Sequence, residues 1–119
     1  MNLLIVDDHA GVRELIRDVV RGIANNVREC SSGEEAVQLC ETYSPDCVTL
    51  DLRMGEMHGL TALQLIRRRH PLANIVVVTQ FDHESIRARA RAAGADNFIV
   101  KDDLMILRSY VQSLAACDQ

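Results

Sequence analysis

The sequence predicts an α/β domain built on a five-stranded parallel sheet. Short runs rich in Val and Ile alternate with longer segments whose apolar residues recur at helical spacing, and no linker or repeat interrupts them. The 119 residues are 48% hydrophobic and 25% charged, which is ordinary for one domain with a buried core. Strands that alternate with helices form right-handed βαβ units, so we expect one domain over residues 1–119 with helices on both faces of the sheet.

The predicted strands are short apolar runs bounded by polar residues, as in parallel strands that are buried on both faces. They cover residues 3–6, 27–30, 47–50, 75–78 and 98–100. The weakest run, 27–30, is most easily placed at an edge of the sheet, which predicts the doubly wound order 2-1-3-4-5. In that order the winding direction reverses beside the first strand.

Five helices are predicted between and after the strands. The clearest covers about residues 10–24, where apolar side chains form one stripe: Val12, Leu15, Ile16, Val19, Val20 and Ile23. The same pattern predicts helices over 33–43, 59–69, 83–93 and 103–116, with Gly59 permitting a tight start to the third. Arg67, Arg68 and Arg69 end that helix, where positive charge complements the helix dipole, and we assign them no partner.

Composition argues against several classes of function. With 17 acidic and 13 basic residues the net charge is -4, so the chain offers no basic surface for direct nucleic-acid binding. No apolar run approaches the roughly 18 residues of a membrane span, and Asp7 and Asp8 interrupt the first run too early for a signal peptide. The cysteines lack zinc-site spacing, which leaves disulfides or buried thiols, and we interpret them as buried thiols of a cytoplasmic protein: Cys30, Cys40, Cys47 and Cys117.

Charged and polar side chains follow four of the five predicted strands. Asp7 and Asp8 follow the first, Asp51 the third, Thr79 the fourth and Lys101 the fifth. Ligands of open parallel sheets bind at the carboxyl ends of the strands, near the point where the winding reverses. Carboxylates gathered there repel one another, by roughly 1 to 4 kcal/mol for a pair about 4 Å apart, and a hard divalent ion such as Mg²⁺ would compensate. We therefore expect the three aspartates to bind Mg²⁺.

Each of these residues has a simpler explanation when it is taken alone. Adjacent aspartates before a helix serve as an N-cap and a first-turn acid, and threonine is common in strands. Their joint placement at one edge of the sheet favours a site. His9, His58 and His83 fall in loops at the same edge, which leaves a transition-metal site open, although no HxH or HExxH spacing supports it.

Four short segments resemble the receiver domain of two-component response regulators. They are the pair Asp7-Asp8, LDLRMGEMHG around Asp51, VVVTQ with Thr79 and GADNFIVKD with Lys101, and their order and spacing match that family along the whole chain. The resemblance implies a flavodoxin-like fold and a phosphorelay switch rather than a conventional enzyme. It also implies that Asp51 accepts a phosphoryl group from a sensor histidine kinase or a histidine phosphotransfer protein.

The resemblance implies a role for each matching residue of the site. In the family, the residues that match Asp7, Asp8 and Asp51 bind Mg²⁺ together with a backbone carbonyl, which here is that of Arg53. The residues that match Thr79 and Lys101 hold the phosphoryl oxygens.

The resemblance also implies how phosphorylation is felt elsewhere. In the family the threonine and an aromatic residue of the last strand move together, and the matching pair here is Thr79 and Phe98. Residues 83–116 would then form the surface for a downstream effector or a homodimer partner. Three arginines are expected on that surface: Arg87, Arg91 and Arg108.

The chain departs from the family pattern near the site. Gly55 stands where a proline is usual, Gln80 follows the threonine where a small residue is usual, and Asp102 follows the lysine in place of proline. A Lys-Asp pair resembles regulators with a helix-turn-helix output domain, so the chain is either a single-domain regulator or the N-terminal part of such a protein. Arg53 and Phe81 occupy positions that tune hydrolysis of the acyl phosphate in the family.

Two other functions remain open. A pseudo-receiver would keep the fold and bind partners without efficient phosphorylation. A small Mg²⁺-dependent phosphohydrolase would use the same metal ligands, but Asp7 and Asp8 are adjacent rather than spaced as Asp-x-Asp, and 119 residues leave no cap to exclude water.

Overall fold

The computed structural model describes residues 1–53, 59–80 and 83–117, which contain one five-stranded parallel sheet. Its strands are β1 (Asn2–Val6), β2 (Asn26–Cys30), β3 (Cys47–Leu50), β4 (Asn74–Thr79) and β5 (Asn97–Val100). Their order is β2-β1-β3-β4-β5 and every neighbouring pair is parallel, which confirms the predicted fold class and strand order. Gly55, His58 and Phe81 lie outside the described residues, and the expectations for them stay predictions.

The helices follow the predicted alternation but two of them end early. They are α1 (Ala10–Val19), α2 (Gly33–Leu39), α3 (Gly59–Arg69), α4 (Glu84–Ala93) and α5 (Leu104–Cys117), with a 3-10 turn at Lys101–Asp103. The chain leaves α1 through a turn in which Gly22 has a φ of 83°, a left-handed conformation that glycine adopts without steric cost. Val20 and Ile23 pack on the core although they follow the end of α1. The apolar pattern therefore extends past the helix, which is why the predicted helix was too long. None of the described helices is long and apolar enough to cross a membrane.

The sheet separates two apolar cores, because successive side chains of a strand point to opposite faces. On one face, α1 and α5 pack on a cluster that includes Leu3, Ile5, Ile16, Val76, Leu107 and Val111. On the other face, α2, α3 and α4 pack on a cluster that includes Leu4, Val6, Val48, Leu63, Ile66 and Val77. Within α4 only Ala90 is fully buried, so this helix is held by little apolar area.

Three of the four cysteines are buried free thiols, as the sequence predicts. Burial raises the pKa of Cys30 and of Cys40 to about 11, and that of Cys47 to about 12. These thiols therefore stay protonated at neutral pH and are poor nucleophiles.

Arg67 lies in the last turn of α3, as predicted, and also makes contacts that the helix-dipole role does not include. Its guanidinium donates hydrogen bonds to the carbonyls of Gly94 (2.7 and 3.0 Å), Pro71 (3.0 Å) and Ala73 (2.7 Å), and pairs with the carboxylate of Asp96. The arginine thus joins the ends of α3 and α4 to the segments that precede β4 and β5. The sequence does not indicate these contacts, because the acceptors are mainly backbone carbonyls of other segments.

Arg108 faces α1 rather than the expected partner surface. Its Nη1 donates hydrogen bonds to the carbonyl of Val19 at 2.6 Å and to that of Arg21 at 3.4 Å. It therefore caps the C-terminal end of α1, where carbonyl groups lack helical partners and positive charge suits the helix dipole. Helical periodicity alone did not show which side of α5 lies against α1.

Thr49 of β3 carries a buried hydroxyl that has no hydrogen-bond partner among the described residues, and its side chain stands between Ile5 and Val76 of the neighbouring strands. An unpaired buried polar group costs about 1–3 kcal/mol, and valine has nearly the same shape without the hydroxyl. We expect Thr49→Val to raise the free energy of unfolding by about 1 kcal/mol, measured by urea denaturation. Thr49→Ser, which keeps the hydroxyl and loses a methyl group, should lower it. A valine variant no more stable than wild type would contradict this expectation.

Candidate functional site

The carboxyl ends of β1 and β3 bring three carboxylates together. The carboxylate oxygens of Asp7, Asp8 and Asp51 approach within 4.8 Å of one another. Asp7 and Asp51 are buried, with 1% and 6% of their surface exposed, whereas Asp8 is exposed. The strand register explains this grouping, because Val6 pairs with Leu50 and the aspartate after each strand leaves the sheet at the same level.

Lys101 reaches into this group from the end of β5. Its Nζ lies 2.9 Å from Asp7 Oδ2 and 3.0 Å from Asp51 Oδ2. The contact with Asp51 is also a hydrogen bond, and the buried Asp7 Oδ2 is held by its ion pair with Lys101. One ammonium group offsets only one of the three carboxylate charges, which leaves the cluster with an excess of negative charge. These oxygen ligands and this excess charge fit Mg²⁺.

Burial and charge shift two pKa values at the site in ways that matter for its chemistry. Burial raises the pKa of Asp51, although the Lys101 hydrogen bond and the Arg53 backbone N–H, at 3.1 Å from Oδ1, act in the opposite direction. Burial lowers the pKa of Lys101, but the carboxylates of Asp7 and Asp51 outweigh it and leave the pKa raised. Lys101 is therefore a cation at neutral pH, held beside the Asp51 carboxylate.

Thr79 and Phe98 lie on adjacent strands and on the same face of the sheet. Thr79 is buried at the end of β4 and pairs with Val100 of β5. Phe98 pairs with Val77, which precedes Thr79 by two residues in β4 and therefore points to the same face. Phe98 is only partly buried, at the margin of the core beneath α4. The guanidinium carbon of Arg87 lies 4.7 Å from the centroid of the Phe98 ring, a cation–π contact that no local pattern in the sequence indicates.

Gly59 fixes the start of α3 beside the segment that follows Asp51. A Cβ atom at this position would lie 2.4 Å from the Leu52 Cα, so only glycine allows the helix to come this close.

The peptide bond between Lys101 and Asp102 is trans, as are the other bonds of the described segments.

The histidine alternative receives no support from the described residues. The ring Nδ1 of His9 accepts a hydrogen bond from the Val12 N–H at 3.2 Å and caps α1. His83 holds the corresponding position before α4. Among the described residues, the only group of potential metal ligands is the three aspartates, and it contains no histidine.

Comparison with known proteins identifies the family. A family model described as the response regulator receiver domain matches residues 3–112. The chain is 40% identical over 100 residues to the chemotaxis protein CheY of Bacillus subtilis, and the match covers 83% of each chain. It is 33% identical over 102 residues to the nitrate/nitrite response regulator protein NarL of Escherichia coli, covering 84% of this chain and 47% of NarL.

A solved structure supports the same assignment. The structure of a response regulator protein from Burkholderia pseudomallei with a phosphorylated aspartic acid, calcium ion and citrate has a TM-score of 0.82 and 25% identity. That match covers 99% of this chain and 74% of the other. The chain therefore belongs to the response regulator receiver-domain family of regulatory proteins, as the sequence motifs indicate.

Proposed function

We propose that residues 1–119 form a phosphorylatable switch that accepts a phosphoryl group on Asp51. The donor in this proposal is the phosphohistidine of a sensor histidine kinase or of a histidine phosphotransfer protein in the cytoplasm. The observation that carries the proposal is the approach of three carboxylates within 4.8 Å of one another, with Lys101 at 3.0 Å from Asp51. Three buried free thiols agree with a reducing compartment.

The proposed transfer assigns one task to each group of the site. An oxygen of Asp51 attacks phosphorus, the new P–O bond forms as the P–N bond breaks, and the imidazole nitrogen departs in line. Lys101 and Thr79 donate hydrogen bonds to the phosphoryl oxygens. The metal is proposed to bind to the three aspartates and the backbone carbonyl of Arg53. Bound Mg²⁺ supplies positive charge to the oxygens of the phosphoryl group.

The proposed output surface comprises α4, β5 and α5, within residues 83–116. Arg91 and Ile106 are exposed there, and Arg87 covers the ring of Phe98. The small buried area of α4 allows this helix to shift at low cost. We propose that a downstream effector or a second copy of the chain binds this surface, and that this domain binds neither nucleic acid nor a membrane.

The experiment that tests the proposal uses beryllofluoride, a mimic of the phosphoryl group. With Mg²⁺ it should change amide chemical shifts beside Asp51 and across residues 83–112. Thr79→Ala should still bind the mimic but should show a much smaller change across residues 83–112, because its hydroxyl is proposed to link Asp51 to Phe98.

Two results would count against this function. No response of the wild type to Mg²⁺ and beryllofluoride would favour a pseudo-receiver. A response as large in Thr79→Ala as in the wild type would exclude the proposed link between Thr79 and Phe98.

A further inference from the structure

Arg13 of α1 connects the acidic pair to the edge strand β2. Its Nη1 donates a hydrogen bond to the backbone carbonyl of Asp7 at 2.7 Å, and its Nε donates to Glu29 Oε1 at 3.2 Å. The side chains of Arg13 and Glu29 are mostly buried, with 19% and 26% exposed. The second oxygen of Glu29 accepts a hydrogen bond from Arg17, so the carboxylate is held by two arginines.

The hydrogen bond from Arg13 fixes the peptide unit between Asp7 and Asp8. The turn is also held by the His9 N–H, which donates to Asp7 Oδ1 at 2.9 Å. A peptide unit is planar, so fixing its carbonyl oxygen restricts the direction in which the Asp8 side chain leaves the backbone. No hydrogen bond or ion pair of the Asp8 side chain occurs among the described residues. The place of this carboxylate therefore depends on its backbone.

We infer that Arg13 is a positioning residue for the carboxylate cluster: it holds the Asp7–Asp8 peptide unit so that the Asp8 carboxylate meets those of Asp7 and Asp51. The inference rests on the proposed function, in which these carboxylates bind Mg²⁺. Arg13 acts through the backbone, because its acceptor on Asp7 is the main-chain carbonyl and not the carboxylate.

Charge and positioning predict opposite results when Arg13 is replaced. If only its charge mattered, removing a cation near three carboxylates would strengthen Mg²⁺ binding. If Arg13 positions Asp8, its removal weakens binding, because the groups that orient metal ligands contribute about 10- to 100-fold to affinity. The direction of the change in Kd separates the two.

The experiment is a titration with Mg²⁺ alone, followed by amide chemical shifts, on the wild type, Arg13→Gln and Arg17→Gln. Arg17→Gln is the matched control, because Arg17 contacts the same Glu29 carboxylate and lies one helical turn farther from the acidic pair. We expect Arg13→Gln to raise the Kd about tenfold and Arg17→Gln to change it less than about twofold. The Asp8 amide should also shift in Arg13→Gln without metal. Arg13→Lys keeps the charge and one donor, and should recover part of the affinity.

The outcomes distinguish this inference from the function on which it rests. Equal or tighter Mg²⁺ binding by Arg13→Gln would overturn the positioning role and leave the metal site intact. Equal weakening in Arg13→Gln and Arg17→Gln would assign the effect to Glu29 and would also overturn it. Absence of Mg²⁺ binding by the wild type would overturn the proposed metal site and the inference together. Thermal unfolding without Mg²⁺ identifies a variant that fails to fold. If Arg13→Gln fails to fold, the Mg²⁺ Kd of Arg13→Lys is compared with that of Arg17→Gln in its place.

Discussion

Asp51→Asn is expected to abolish phosphorylation of this chain by acetyl phosphate in the presence of Mg²⁺. The amide keeps the size of the side chain but lacks the carboxylate nucleophile, and it also removes one proposed metal ligand. Intact-mass measurement should show one phosphoryl group on the wild type and none on the variant. Asp18→Asn is the control, because that carboxylate is exposed, lies in the last turn of α1 and pairs with Arg21, which follows the helix. The same adduct on Asp51→Asn would exclude Asp51 as the acceptor.

The loss of phosphorylation in Asp51→Asn should not result from unfolding. Burial raises the pKa of Asp51 in the folded state, so folding favours the protonated carboxyl group. The ionised carboxylate therefore lowers the stability of the folded state. This penalty is present at neutral pH and vanishes as the pH falls through the folded-state pKa toward the ordinary value of 3.8. The variant should therefore exceed the wild type in stability at neutral pH, and urea denaturation should show the difference shrink in acid. A less stable variant at neutral pH would contradict this expectation.

Arg67→Met is expected to lower the free energy of unfolding by about 3 kcal/mol. The substitution leaves the carbonyls of Gly94, Pro71 and Ala73 without their donor. The ion pair with Asp96 contributes little to this figure, because 41% of that side chain is exposed. The expected loss comes mainly from carbonyls that join three segments of the chain. Urea denaturation measures it.

Arg68→Met provides the matched control for this substitution. Arg68 is the next residue of α3, it is exposed, and it forms no ion pair within the described part of the chain. Its replacement should change the free energy of unfolding by less than about 0.5 kcal/mol. Similar losses in Arg67→Met and Arg68→Met would show that the contacts of Arg67 with other segments contribute nothing specific.

The five-stranded sheet and the edge at which its polar residues gather follow from the pattern of residues along the chain. The apolar runs predict the five strands, and the weak run at 27–30 predicts the edge strand. Because parallel strands end at one edge, the positions of Asp7, Asp51 and Lys101 directly after three of these runs were enough to predict their proximity. The sequence shows this because each buried strand leaves an apolar run, and parallel strands all end at the same edge of the sheet.

The acceptors of the long arginine side chains depend on how the folded segments pack against one another. Arg13, Arg67 and Arg108 all donate hydrogen bonds to backbone carbonyls of other segments. A carbonyl group is present at every residue, so it leaves no mark in the sequence that identifies it as an acceptor. The same holds for Arg87, whose contact with Phe98 depends on how α4 lies on β5. These contacts form only after packing has brought the segments together, which is why the sequence predicted only a helix-dipole role for Arg67 and did not predict that Arg108 contacts the end of α1.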